Sequence, residues 1–209
     1  MMREPFYLTA VDPGGITGII TMRIEKDDFT VERQLADPYD PLNGRTPART
    51  LQKWSRDFSG LPQVLVYEDF HLRPQGFLPD PIALNVIGGL ETWLAGVLQG
   101  SRRIPCVANR SKASLSRLAD LGGGTGCPYV KIVPREPVQG KNMATDMVLD
   151  RLGLLAYGPL VKDINDAFRH AVSWLTERKY RPVCDQAWPK RKKTSVETSE
   201  ETSLKEVSG

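Results

Sequence analysis

Phe6-Tyr7-Leu8-Thr9-Ala10-Val11-Asp12-Pro13-Gly14-Gly15-Ile16-Thr17-Gly18 opens the chain with an aromatic and β-branched run that breaks at a strong turn signal. The run predicts a strand with an acid, Asp12, at its C-terminal end. Gly18–Ile24 follows after a gap short enough for a hairpin, and Lys26-Asp27-Asp28 turns the chain into Phe29–Leu35. Three antiparallel strands in a meander are the simplest reading.

Beyond them, residues 36–46 are rich in Pro, Asp, Asn and Gly and read as a loop, and Leu51, Trp54 and Phe58 fall at helical spacing over Ala48–Phe58. Val64–Phe70 is a nearly continuous apolar run of strand length, which suits a strand covered on both faces, and it too runs into acids, Glu68 and Asp69. Pro81–Leu98 carries Ile82, Val86, Leu90, Trp93, Leu94 and Val97 at the spacing of a long core helix. Tyr129–Val133 reads as a fifth strand stopped by Pro134. Met143–Leu155 reads as a helix with Met147, Val148, Leu152 and Leu155 inward, and Lys162–Tyr180 as a final helix carrying Asp163, Asp166 and His170. The resulting class is α/β, a five-stranded mixed sheet in the order β-β-β-α-β-α-β-α flanked by helices.

Between the long helix and the fifth strand, residues 101–128 read as a basic insertion with a helix over Ala113–Leu121 and a flexible Gly122-Gly123-Gly124-Thr125-Gly126 run. Residues 1–181 form one domain on this reading. Residues 182–209 read as a disordered polar tail, with Lys190-Arg191-Lys192-Lys193 followed by a Ser/Thr/Glu-rich end.

Composition narrows the class further. The 209 residues are 40% hydrophobic and 25% charged, which excludes a fibrous or wholly disordered chain. No apolar run reaches the ~18 residues of a membrane span, and Met1–Pro5 lacks the apolar core of a signal peptide, so a cytoplasmic location is expected. Cys106, Cys127 and Cys184 are far apart and include no CxxC pair, which indicates neither a disulfide framework nor a zinc site. The net charge of +3 permits a polyanionic partner without requiring one.

The acids carry the chemistry. With the first and fourth strands adjacent, Asp12 and Glu68 would emerge at one sheet edge. Asp163 and Asp166 are three residues apart and share a helical face with His170, one turn on. Carboxylates gathered in one dry place repel one another unless divalent cations neutralise them, and magnesium or manganese suits an all-oxygen set. Two such ions can activate a water and stabilise the leaving oxygen in phosphodiester hydrolysis. Each acid has a plainer role beside this one: Asp12 as a turn former, Asp163 as a favourable charge near a helix start. Asp166, deeper in the helix, has less structural excuse. Asp69 faces away from Glu68 on a strand, and a buried, hydrogen-bonded histidine is the plain reading of His170; both are auxiliary candidates.

The Asp12-Pro13-Gly14-Gly15-Ile16-Thr17-Gly18 segment, the strand ending on Glu68, and Asp163-Ile164-Asn165-Asp166-Ala167-Phe168-Arg169-His170-Ala171 together resemble the RuvC-like Holliday junction resolvases of the RNase H-like superfamily, particularly the phage-borne branch. The resemblance spans about residues 6–176. It implies an RNase H-like fold and a homodimeric, magnesium-dependent (or manganese-dependent) endonuclease that nicks branched DNA with two ions per site, in a bacterial or phage-infected cell. By motif match, Asp12, Glu68, Asp163 and Asp166 are its catalytic, metal-binding acids. The 101–128 segment is longer than the compact connection expected there.

The basic residues Arg102, Arg103, Arg110, Lys112, Arg117, Lys131, Arg135 and Lys141 cluster between the long helix and the next and are candidates for DNA phosphate contacts. Phe77 is a candidate stacking wedge. Two rival functions carry different requirements. An actin-like or sugar-kinase-like ATPase shares an acid followed by glycines but needs a second phosphate loop and a second lobe, for which the chain is too short. A branched-DNA-binding scaffold would keep the fold and lose the cutting, and the intact acids argue against it.

Overall fold

The computed structural model describes residues 4–68, 81–99, 129–135 and 142–189, the side chains of 95–99 and 129–130 excepted. Five strands form one sheet: β1 (Phe6–Asp12), β2 (Ile16–Ile24), β3 (Phe29–Pro38), β4 (Gln63–Glu68) and β5 (Tyr129–Arg135). Their order across the sheet is β3-β2-β1-β4-β5. The meander β1-β2-β3 is antiparallel, and β1 with β4 and β4 with β5 are parallel, so the sheet is mixed. Helices are α1 (Pro47–Asp57), α2 (Pro81–Gln99), α3 (Asp146–Arg151), α4 (Val161–Glu177) and α5 (Arg181–Ala187).

The period of two along a strand divides the core between the two faces. Leu8 and Ala10 of β1, with Val64 and Val66 of β4, meet Phe168, Ala171, Val172 and Leu175 of α4. Val11 of β1 and Leu65 and Tyr67 of β4 point the other way, onto Leu51, Trp54 and Phe58 of α1 and its following turn and Leu90 of α2. Leu51, Leu65 and Leu90 are fully buried, each contributing about 1.5–3 kcal/mol. The same alternation puts Asp12 on the α4 face after Leu8 and Ala10, and Glu68 on that face after Val64 and Val66.

Four local readings are corrected by the tertiary packing. Pro134 does not stop β5, which continues to Arg135; β5 is the last strand of the described sheet, where a missing N–H costs no ladder bond on an unpaired edge. The helix expected over Met143–Leu155 is the short α3, ended at Gly153, whose φ of +66° suits glycine. On it Leu149 is buried and Met147 is 59% exposed, because Val148, Leu149 and Leu152 turn their side to the core. The last long helix ends at Glu177 instead of running to Tyr180, and Lys179 at φ 54° turns the chain into α5. That helix lies in the stretch read as a polar tail, yet Val183 and Ala187 are buried in the α4 core. Tyr180 fixes the corner by donating its hydroxyl to Asp28 O at 2.5 Å, and Glu25 O lies 2.9 Å from the same oxygen.

The other expected elements form, with β2 beginning at Ile16 and β3 extending to Pro38. The 101–128 insertion, Asp69, Phe77, Arg102, Arg103, Arg110, Lys112, Arg117, Lys141 and the chain beyond 189 lie outside the described residues. Among the described helices, none is long and apolar enough to cross a membrane.

Candidate metal centre

Asp12 ends β1 and Glu68 ends β4, and the parallel pairing of these neighbours, with Val11 beside Tyr67, brings both acids to one edge. The turn after Asp12 is braced by Thr17, whose hydroxyl donates to Gly14 O at 3.1 Å. Gly18 then faces Asp12 across the β1–β2 pair, and α4 lies directly against it. A methyl group at Gly18 would lie 1.9 Å from Asp163 O, so only glycine lets the start of α4 come this close to the sheet. Asn165 holds the approach to the helix, its side chain bonding both the N–H and the carbonyl of Ala156.

This placement sets His170 beneath the two carboxylates. Its Nε2 donates to Glu68 Oε2 at 2.8 Å and lies 3.7 Å from Asp12 Oδ1. Ligand atoms of Asp12, Glu68 and His170 all lie within 4.8 Å of one another. The three are 8%, 1% and 0% exposed, so their charges are felt through a medium of low polarisability. Burial, with Glu68 alongside, pushes the Asp12 carboxyl up to about 6 although His170 opposes the rise. Burial acts to lower the His170 pKa, but the carboxylates of Asp12 and Glu68 outweigh it and the imidazole is held above its ordinary value. Its Nδ1 is buried with no hydrogen-bond partner among the described residues.

The residues fit a divalent cation. Two buried carboxylates face each other with the His170 imidazole bonded to one and close to the other, a like-charge arrangement that a cation relieves, and their oxygens are the donors magnesium and manganese take. Asp163, half-buried at the start of α4, feels the same field: burial and then the charge of Asp12 raise its pKa. Asp166 is 3% exposed, and its Oδ1 is bonded by Arg169, which also reaches Asp146 and Ala144 O. Asp12, Glu68 and His170 therefore converge, Asp163 stands next to them electrostatically, and Asp166 is engaged elsewhere.

Arg169 carries no weight in the sequence reading, and the only local signal for it is its position three residues after Asp166. Lys131, among the basic candidates, is half-buried on β5. Arg135 is corrected from surface to interior: it is 3% exposed, with its guanidinium on Glu177 at 2.6 and 2.9 Å and on Ser173 at 2.9 Å. Its strand parity points it at α4.

The fold has a counterpart among solved structures. T. thermophilus RuvC, determined in complex with a Holliday junction substrate, is similar at a TM-score of 0.52 and 15% identity, over 83% of this chain and 95% of RuvC. The fold is that of RuvC. No family model and no curated protein matches the sequence. The RuvC likeness thus rests on the arrangement in space, a five-stranded mixed sheet with helices on both faces.

Proposed function

We propose that the protein is a structure-selective, metal-dependent endonuclease that cleaves branched DNA, a crossover junction endodeoxyribonuclease acting by two-metal phosphodiester hydrolysis. The observation that carries this reading is the buried convergence of Asp12, Glu68 and His170 at the edge of a RuvC-like sheet. Asp12 and Glu68 would hold the cation from the sheet side, and Asp163 and Asp166 would complete the set from α4. When bound, magnesium or manganese supplies the charge that activates a water and stabilises the leaving oxygen. Asp12 stands between the two flanks and would bridge them; His170 orients Glu68 by its hydrogen bond, fixing the carboxylate before the cation arrives.

The substrate half of the reading has two supports: RuvC, of the same fold, was solved with a Holliday junction, and the basic residues of the 102–141 region offer phosphate contacts. Arg102, Arg103, Arg110, Lys112, Arg117, Lys131 and Lys141 remain in that set; Arg135 leaves it. A homodimer that presents two sites to opposed strands, working in the cytoplasm of a bacterial or phage-infected cell, belongs to the same proposal.

The test is cleavage of a labelled four-way junction, a Y-fork and a linear duplex in magnesium, with chelator and Asp12→Asn as controls. Paired nicks in the junction that vanish in both controls are expected. Tight junction binding with no metal-dependent nick would make the protein a binding scaffold on a nuclease fold.

A further inference from the structure

The acid that the helical spacing sets beside Asp163 is not among the converging donors. Asp166 gives Oδ1 to Arg169 Nη1, while Arg169 Nη2 reaches Asp146 and Arg169 Nε donates to Ala144 O at 3.1 Å. The guanidinium is thus shared between a buried carboxylate on its own helix and the segment leading into α3. Asp146 is 69% exposed on its side chain, Asp166 only 5%.

A positive charge seated on Asp166 repels a cation brought to the same carboxylate, and the repulsion is strong where water is scarce. Arg169 also has partners to keep if it gives Asp166 up, because Ala144 O and Asp146 hold two of its three guanidinium nitrogens, Nε and Nη2. One ion pair would be exchanged for another without leaving a bare charge.

We propose that Arg169 is a competing counter-ion for Asp166, so that the site loads cations in two unequal steps. The first step uses Asp12 and Glu68, which already converge. The second requires Asp166 to exchange Arg169 for the cation, and Arg169 to fall back on Asp146 and Ala144 O. This rests on the metal-dependent reading above and deepens it: the site is assembled in order, and Arg169 sets the interval between the steps.

The experiment is a calorimetric titration of manganese into the full chain without DNA, with free ion counted by electron paramagnetic resonance. Wild type is expected to show a tight first step and a second about tenfold weaker or more. Asp166→Asn keeps the first and loses the second. Arg169→Gln, which drops the charge, brings the second step about tenfold closer to the first. Arg169→Lys keeps the charge and leaves the second step weak, with thermal unfolding confirming that each variant is folded. Equal steps in wild type, or a second step unmoved or weakened in Arg169→Gln, would overturn the proposal while leaving the metal-dependent reading standing. No manganese binding in wild type would overturn both.

Discussion

Two of the places where charge is buried along α4 are built in opposite ways. Toward the C-terminal end, Arg135 from β5 meets Glu177 at 2.6 and 2.9 Å and Ser173 at 2.9 Å, so a buried cation has its anion. Toward the N-terminal half, Asp12 and Glu68 are buried side by side against the His170 imidazole. The first arrangement closes on itself and holds β5 to the helix. The second sets two like charges together, which stability alone gives no reason to bury. The contrast separates a structural tie from the candidate metal centre.

The most forceful way to break the comparison is to neutralise one acid at each place. Glu177→Gln leaves Arg135 buried without its anion and is expected to cost about 3 kcal/mol, the lower end of the range because Glu177 is 41% exposed on its side chain. Asp12→Asn removes one of two like charges, so stability in chelator at pH 8 is expected not to fall. Urea unfolding of the two variants reads both outcomes, and equal losses would erase the distinction.

A subtler effect lies in the pH dependence of the metal-free protein. Between its ordinary 3.8 and about 6, folded Asp12 holds a proton that the unfolded chain has released, so stability falls as pH rises through that window. His170, held above 6.5, adds stability that is complete below 6.5 and is lost as pH rises through its folded value. Both slopes have the same sign. Relative to Asp12→Asn, wild type is expected to lose about 2 kcal/mol from pH 4 to pH 8 in chelator. Parallel pH profiles for the two proteins would show that Asp12 gains no proton affinity on folding.

A single added methyl group tests how closely helix and sheet must meet. Gly18→Ala drives that methyl into the backbone at Asp163 and is expected to cost about 3 kcal/mol or more, because backbone at the start of a packed helix has no rotamer by which to move aside. The shift it forces carries Asp163 away from Asp12, so manganese affinity falls as well. A variant of unchanged affinity would mean that Asp163 takes no part in the site.

Much of this site was legible in the sequence because strand parity and helix periodicity are local. Asp12 and Glu68 close two apolar runs whose alternation can be read off the residues, and Asp163, Asp166 and His170 share one helical face by spacing alone. What escaped depends on distant chain. Nothing near Arg135 tells that β5 turns it onto Glu177, 42 residues away, and nothing near Asp166 tells that the Ala144–Asp146 segment seats Arg169 against it. Pro134 misled because a proline ends an inner strand but not an edge. The polar stretch after Arg181 hid α5, since Val183 and Ala187 are too few to announce a helix until α4 is there to receive them.

The central claim is that the Asp12–Glu68 edge holds a divalent cation, and thermal unfolding with and without manganese tests it most directly. A ligand that binds only the folded chain, at about 100 times its Kd, adds about 2.7 kcal/mol, so wild type should melt several degrees higher with manganese than in chelator. Asp12→Asn should melt at one temperature in both. An unshifted wild type, or an equal shift in Asp12→Asn, would contradict the account.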